Sequence, residues 1–74
     1  MLLSELPLGK KAKIKQLTCT DLRLKMIEMG LYEGVEVVKE LETLAKGPMA
    51  FWVNDYLLSL RYSEAKMVEI ELID

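Results

Sequence analysis

This 74-residue sequence predicts a mainly-β fold, a small five-stranded barrel with one short α-helix between its first and second strands. Three observations carry that reading. Apolar and polar residues alternate with period two in several short stretches, the mark of half-buried strands. The stretch Met26-Ile27-Glu28-Met29-Gly30-Leu31-Tyr32-Glu33-Gly34 reads as a helix that stops at one glycine, followed by a second glycine that launches a strand. Leu60-Arg61-Tyr62-Ser63-Glu64-Ala65 reads as the end of a hairpin turning into a last strand. Five short strands cannot cover both faces of an open sheet, so they curl.

The elements follow in order. Leu6-Pro7-Leu8-Gly9 is an apolar lead-in and a turn. Ala12, Ile14 and Gln16 alternate with Lys11, Lys13 and Lys15, which predicts a first strand with one lysine face. Those lysines would also guard the strand against edge-to-edge pairing. Thr18 is placed as the helix N-cap with Asp21 three residues on, and Leu17 and Leu22 occupy the positions of a hydrophobic staple. Leu22, Met26 and Met29 form one narrow stripe toward the core. Gly30 sits at a left-handed C-cap. Leu24 lies nearly opposite the stripe and Ile27 to its side, so both are expected to be exposed.

Gly34 opens the second strand, Val35 to Leu44. Val35, Val37 and Leu41 are expected on one face and Glu36, Glu40 and Glu42 on the other, with Val38 breaking the pattern. Ala45-Lys46-Gly47-Pro48 is a loop, since proline cannot donate to a central ladder. Asn54-Asp55 is a two-residue hairpin turn, both residues tolerating positive φ. Counting outward from it pairs Val53 with Tyr56, Trp52 with Leu57, Phe51 with Leu58 and Met49 with Leu60. Opposed side chains share a face. Phe51, Leu58, Met49 and Leu60 therefore line one side, and Trp52 and Leu57 the other. Ser63-Glu64-Ala65 is a short turn. Val68, Ile70 and Leu72 then alternate with Met67, Glu69 and Glu71 in the fifth strand.

Length implies one domain, residues 1–74, with a marginal core. A 51% hydrophobic content compensates, and 30% charged residues argue against disorder. The net charge of -2 defines no partner. Its distribution is uneven: residues 10–25 carry six basic side chains against Asp21, while residues 26–74 carry four basic and ten acidic ones. That reads as two solvated faces, or as a basic edge toward an acidic protein or an anionic surface. The single Cys19 permits no internal disulfide, which fits a reducing compartment. Met1-Leu2-Leu3 runs at once into Ser4 and Glu5, so no signal peptide is expected, and no apolar run approaches a membrane span. A cytosolic location follows as an expectation.

The chemistry inventory is short. With no histidine, the usual general base and the commonest metal ligand are missing. One cysteine gives neither a CxxC pair nor a structural zinc site, and Cys19 without a histidine partner reads as a small packing or capping residue. No GxxxxGK[ST] or GxGxxG phosphate cradle occurs. Of five methionines, Met26, Met29 and Met49 are expected in the core rather than on a soft metal. The pairs Glu40/Glu42 and Glu69/Glu71 each share a strand face and read as solvated, or as a weak divalent-cation site. Lysines 10, 11, 13 and 15 beside Trp52 resemble a stacking platform for nucleic acid, but the acidic balance and scarce aromatics argue against it. Trp52 with Leu57 on the outer hairpin face is either covered by the chain or is a contact for a partner.

The ordered residues resemble the FeoA family, ferrous iron transport protein A, over nearly the whole chain. Leu6-Pro7-Leu8-Gly9 with Ala12 and Ile14 is similar to the family's opening. Met26 through Gly34 is similar to its "LxxLGLxPG". Pro48, Phe51, Val53, Leu58-Ser59-Leu60-Arg61, Glu64-Ala65, Val68 and Ile70 follow its closing pattern. Methionines 26 and 29 stand where leucine is usual, Glu33 replaces a proline, and Asp55 stands where glycine is common. The resemblance implies an SH3-like barrel and a non-catalytic cytosolic accessory role in ferrous iron uptake. The implied partner is the FeoB membrane iron transporter, bound through its cytosolic GTP-binding domain, without nucleic acid or membrane insertion. The same barrel resembles the C-terminal domain of iron-dependent repressors, which makes carboxylate-based sensing of iron or manganese the alternative. No resident cofactor is expected beyond a weakly held divalent cation such as ferrous iron. Trp52, Leu57, Leu24 and Ile27 are the candidate interface residues, and an exposed strand edge or the Trp52 patch would serve self-association.

Overall fold

Five strands form one antiparallel sheet in the order β4-β3-β2-β1-β5. They are β1 (Lys11–Leu17), β2 (Glu36–Glu42), β3 (Met49–Val53), β4 (Tyr56–Leu60) and β5 (Val68–Leu72). Helix α1 (Thr20–Glu28) joins β1 to β2, and the single turn α2 (Tyr62–Ala65) joins β4 to β5. The computed structural model describes residues 1–17 and 20–73. The expected cap at Thr18 and the role of Cys19 lie outside the described residues. A flat sheet is only about 10 Å thick, whereas this molecule measures 27 × 25 × 22 Å, so the sheet curls around its core. β4 and β5 do not pair, which leaves the barrel open between them.

Alternation explains most of the core. Ala12, Ile14, Val37, Phe51, Val53, Leu60, Val68 and Ile70 point inward and are buried, as expected. The hairpin register matches the counted one at all four expected pairs. Of the two turn residues, Asn54 takes a positive φ, 56°, and Asp55 does not, so one residue carries the turn that both were expected to share. Met26 is buried, with Leu22 and Met29 packed at the edge of the core.

Two bulges account for the corrections. The β1–β5 register shifts between Ile14 and Gln16, leaving Lys15 as the extra residue. Parity flips there, so Gln16 faces out instead of in and donates from Nε2 to Glu69 Oε2 at 3.0 Å. The β2–β3 register shifts between Lys39 and Leu41, around Glu40. Leu41, expected inward, is therefore 55% exposed. Leu72, also expected inward, lies exposed at the end of β5.

The same bulge settles a charge. Lys39 continues the inward parity of Val35 and Val37 and is only 1% exposed, in a row of apolar residues. A buried ammonium is costly unless paired. The bulge brings Glu42 to the same side, where its Oε1 accepts from Lys39 Nζ. The carbonyl of Ser4 accepts from the same nitrogen at 3.3 Å, and the Phe51 ring lies 5.9 Å away. Ser4 belongs to a 3-10 turn, Leu3–Glu5. Leu3 and Leu6 beside it are fully buried. The predicted lead-in is thus a plug for the barrel, and Lys39 ties it to β2.

The β1 lysines do not guard an edge, because β1 lies between β2 and β5. Lys13 stands between Glu36 and Glu71, and Lys11 is 3.9 Å from Glu36. The lysine face is interleaved with acid from its neighbours rather than forming a basic edge.

Candidate functional site

The outer face of the sheet carries one apolar row across three strands. Val38 of β2 opposes Trp52 of β3, and Trp52 opposes Leu57 of β4. Trp52 is 40% and Leu57 50% exposed, and Val38 is half-buried beside them. Val38, the residue that broke the predicted alternation, is the member the sequence reading did not include. The indole is fixed: its Nε1–H donates to Glu40 Oε1 at 2.7 Å. The ring therefore presents an apolar face while its polar edge is satisfied. Lys11, opposite Val38, and Glu40, on the indole nitrogen, give it a charged rim.

The second pair of candidates lies on α1. Leu24 is 66% and Ile27 43% exposed, one helical turn apart. Ile27 lines a crevice of about 230 Å³ with Gln16, Leu17, Arg23, Tyr32 and Glu33. Tyr32 and Glu33 also border a hollow with Gly34, Glu36 and Asn54. Glu36 and Asn54 in turn border a hollow with Lys11, Val38 and Trp52. Ile27 and Trp52 are therefore joined along one surface, through residues that the sequence reading did not name as interface candidates.

Two glycines set this surface. Gly30 ends α1 at φ +91°. A Cβ there would collide with the Tyr56 hydroxyl, so Gly30 also lets β4 approach the helix end. Gly34, at φ +95°, donates its N–H to the Ile14 carbonyl at 2.8 Å and starts the β1–β2 ladder.

Three carboxylates of the Glu40/Glu42 and Glu69/Glu71 pairs are engaged singly. Glu40 holds Trp52, Glu42 holds Lys39, and Glu69 holds Gln16. Among the described residues no group of three or more His, Cys, Asp or Glu side chains is positioned for a metal ion. The Glu64 carboxyl titrates below its ordinary value of 4.5. The Arg61 backbone N–H, 2.9 Å from its Oε1, is the main cause of its lowered pKa, with Lys25 at 3.0 Å adding to it and partial burial opposing. That is a helix-capping role for α2, not an acid-base one. No helix among the described residues is long and apolar enough to cross a membrane.

These features define a class: a small, mainly-β fold of the SH3 type. The chain belongs to the FeoA family, whose domain model matches residues 1–72 and which is linked to ferrous iron transport. A FeoA-like protein from Clostridium acetobutylicum is 31% identical, with a TM-score of 0.89 over 99% of this chain and 86% of that one. FeoA from Stenotrophomonas maltophilia is 29% identical, with a TM-score of 0.83 over 96% and 89%. That protein was solved as a zinc complex and is described as an SH3 domain protein and a candidate activating factor of ferrous iron transport. A manganese-dependent transcriptional repressor shares the fold at a TM-score of 0.88 over 99% of this chain and 41% of its own, at 8% identity. Comparison with curated proteins gives no match.

Proposed function

We propose that this chain is a non-catalytic, cytosolic accessory domain of ferrous iron uptake, acting by protein–protein contact on the FeoB membrane transporter through its GTP-binding domain. The observation that carries the reading is the apolar row Val38–Trp52–Leu57, exposed on a sheet whose other outward positions are largely charged or polar. An oriented tryptophan with a polar rim is the composition of a binding hot spot. Family membership supplies the system in which the contact operates.

Titration of isotope-labelled protein with the GTP-binding domain, with and without ferrous iron, tests it. Shifts at Val38, Trp52 and Leu57, continuing toward Tyr32 and Ile27, are expected. Trp52→Ala with Leu57→Ser should weaken binding at least about tenfold without unfolding the domain. Unchanged affinity in that variant would remove the row from the proposal.

Carboxylate-based metal sensing draws on the zinc-bound relative and the repressor fold. The engagement of Glu40, Glu42 and Glu69 by Trp52, Lys39 and Gln16 argues for the docking reading instead. Shifts confined to glutamates on addition of iron alone would reverse that preference.

A further inference from the structure

The last strand of the sheet on one side, β4, has a free edge with no charge anywhere from Tyr56 to Leu60. In a hairpin with a two-residue loop the residues flanking the loop form a hydrogen-bonded pair, and bonded pairs then alternate. Tyr56, Leu58 and Leu60 thus bond to β3, and the N–H and C=O of Leu57 and Ser59 point outward. No backbone partner takes them among the described residues, and both residues are exposed. Gly30, just past α1, lies against the Tyr56 hydroxyl at one end of the strand, and Leu22 of α1 borders a hollow with Arg61 just past the other.

We propose that β4 pairs antiparallel with β4 of a second copy of this chain, making a two-fold dimer with one continuous ten-stranded sheet. Only one register uses every outward group on both strands: Leu57 opposite Ser59 of the second copy, with Leu58 on the two-fold axis. That register sets Tyr56 against Leu60 and, one step further, Asp55 against Arg61. Two-fold symmetry makes the Asp55–Arg61 pair occur twice. Arg61 continues the extended backbone at φ -72° and ψ 152°, so it stays in line with the strand. An uncharged edge bounded by an acid at one end and a base at the other is complementary to itself only in the antiparallel sense. The contact does not depend on the transporter reading.

Two short edges bury little surface, so the dimer is weak, with Kd on the order of 10⁻⁴ M. Sedimentation equilibrium of the full chain up to about 1 mM reads it, with circular dichroism confirming that each variant folds. The wild type should dimerise reversibly. Ser59→Pro removes an outward N–H that the monomer does not use, and should be monomeric throughout. Asp55→Lys places two like-charge pairs across the axis and should weaken association about tenfold. Adding Arg61→Glu to that variant should restore it. A wild type monomeric throughout, or a folded Ser59→Pro that associates like the wild type, overturns the proposal. Charge variants that change nothing, singly or together, overturn the register.

Discussion

The two edges of this sheet are treated differently. On the β5 side, the Ile70 N–H donates to the Met1 carbonyl at 2.8 Å and Leu2 bridges to Glu69, so the start of the chain covers the strand. Glu69 and Glu71 add charge to it. On the β4 side no cover is present among the described residues, and the strand carries no charge. Proteins protect exposed edges with chain, charge, proline or bulges because bare edges associate. An edge left bare beside an exposed tryptophan row is therefore a surface available for pairing. The difference teaches that the N-terminal segment closes one edge of this small barrel, while the uncovered edge lies on the hairpin side, next to the proposed contact row.

The strongest way to break the contrast is to release the cover. Leu6→Ala removes a fully buried side chain from the plug and should cost about 3 kcal/mol, read by chemical denaturation. It should also make the β5 edge prone to aggregation. Next comes the tie between plug and sheet. Lys39→Ala should cost about 2 kcal/mol by leaving a cavity, whereas Lys39→Met, which fills the site without a charge, should be near neutral. A large loss in Lys39→Met would mean that the polar tie from Nζ to the Ser4 carbonyl, not the packing, holds the plug.

Between the edges stands α2, tied to α1 by Glu64 and Lys25. Because Glu64 has a lowered pKa in the folded state, its contribution is fully present above the ordinary value of 4.5 and is lost as pH falls through the lower folded value. Melting temperature measured from pH 5 downward should drop less steeply in Glu64→Gln than in the wild type. The smallest effect on stability belongs to the bare edge itself. Ser59→Lys should change unfolding free energy by less than about 0.5 kcal/mol, since the side chain and outward N–H meet no protein partner.

Much of this was legible from local pattern. The Asn54-Asp55 turn set the hairpin register, and with it the pairing of Trp52 with Leu57. Gly30 and Gly34 marked the helix end and strand start because only those backbone conformations fit there. Gln16 and Leu41 were misplaced because a bulge inverts parity without leaving a mark in composition. Lys39 lay at inward parity with Val37, but a lysine in that series reads as a break unless Glu42 is seen to return to it. The lysines of β1 looked like edge guards because strand order is a non-local property, and only the pairing with both β2 and β5 shows them in the middle of the sheet. Val38 is the instructive residue of the site: its irregularity in the alternation was visible, and its meaning came from lying across from Trp52.

Amide hydrogen exchange, followed residue by residue in dilute protein, measures the contrast between the edges most directly. The Ile70 amide, bonded to Met1, should be protected, while those of Leu57 and Ser59 should exchange nearly as fast as in an unfolded chain and gain protection as concentration rises. Leu57 and Ser59 amides as slow as Ile70 in dilute solution would mean that the β4 edge is covered within the monomer, and would contradict the account.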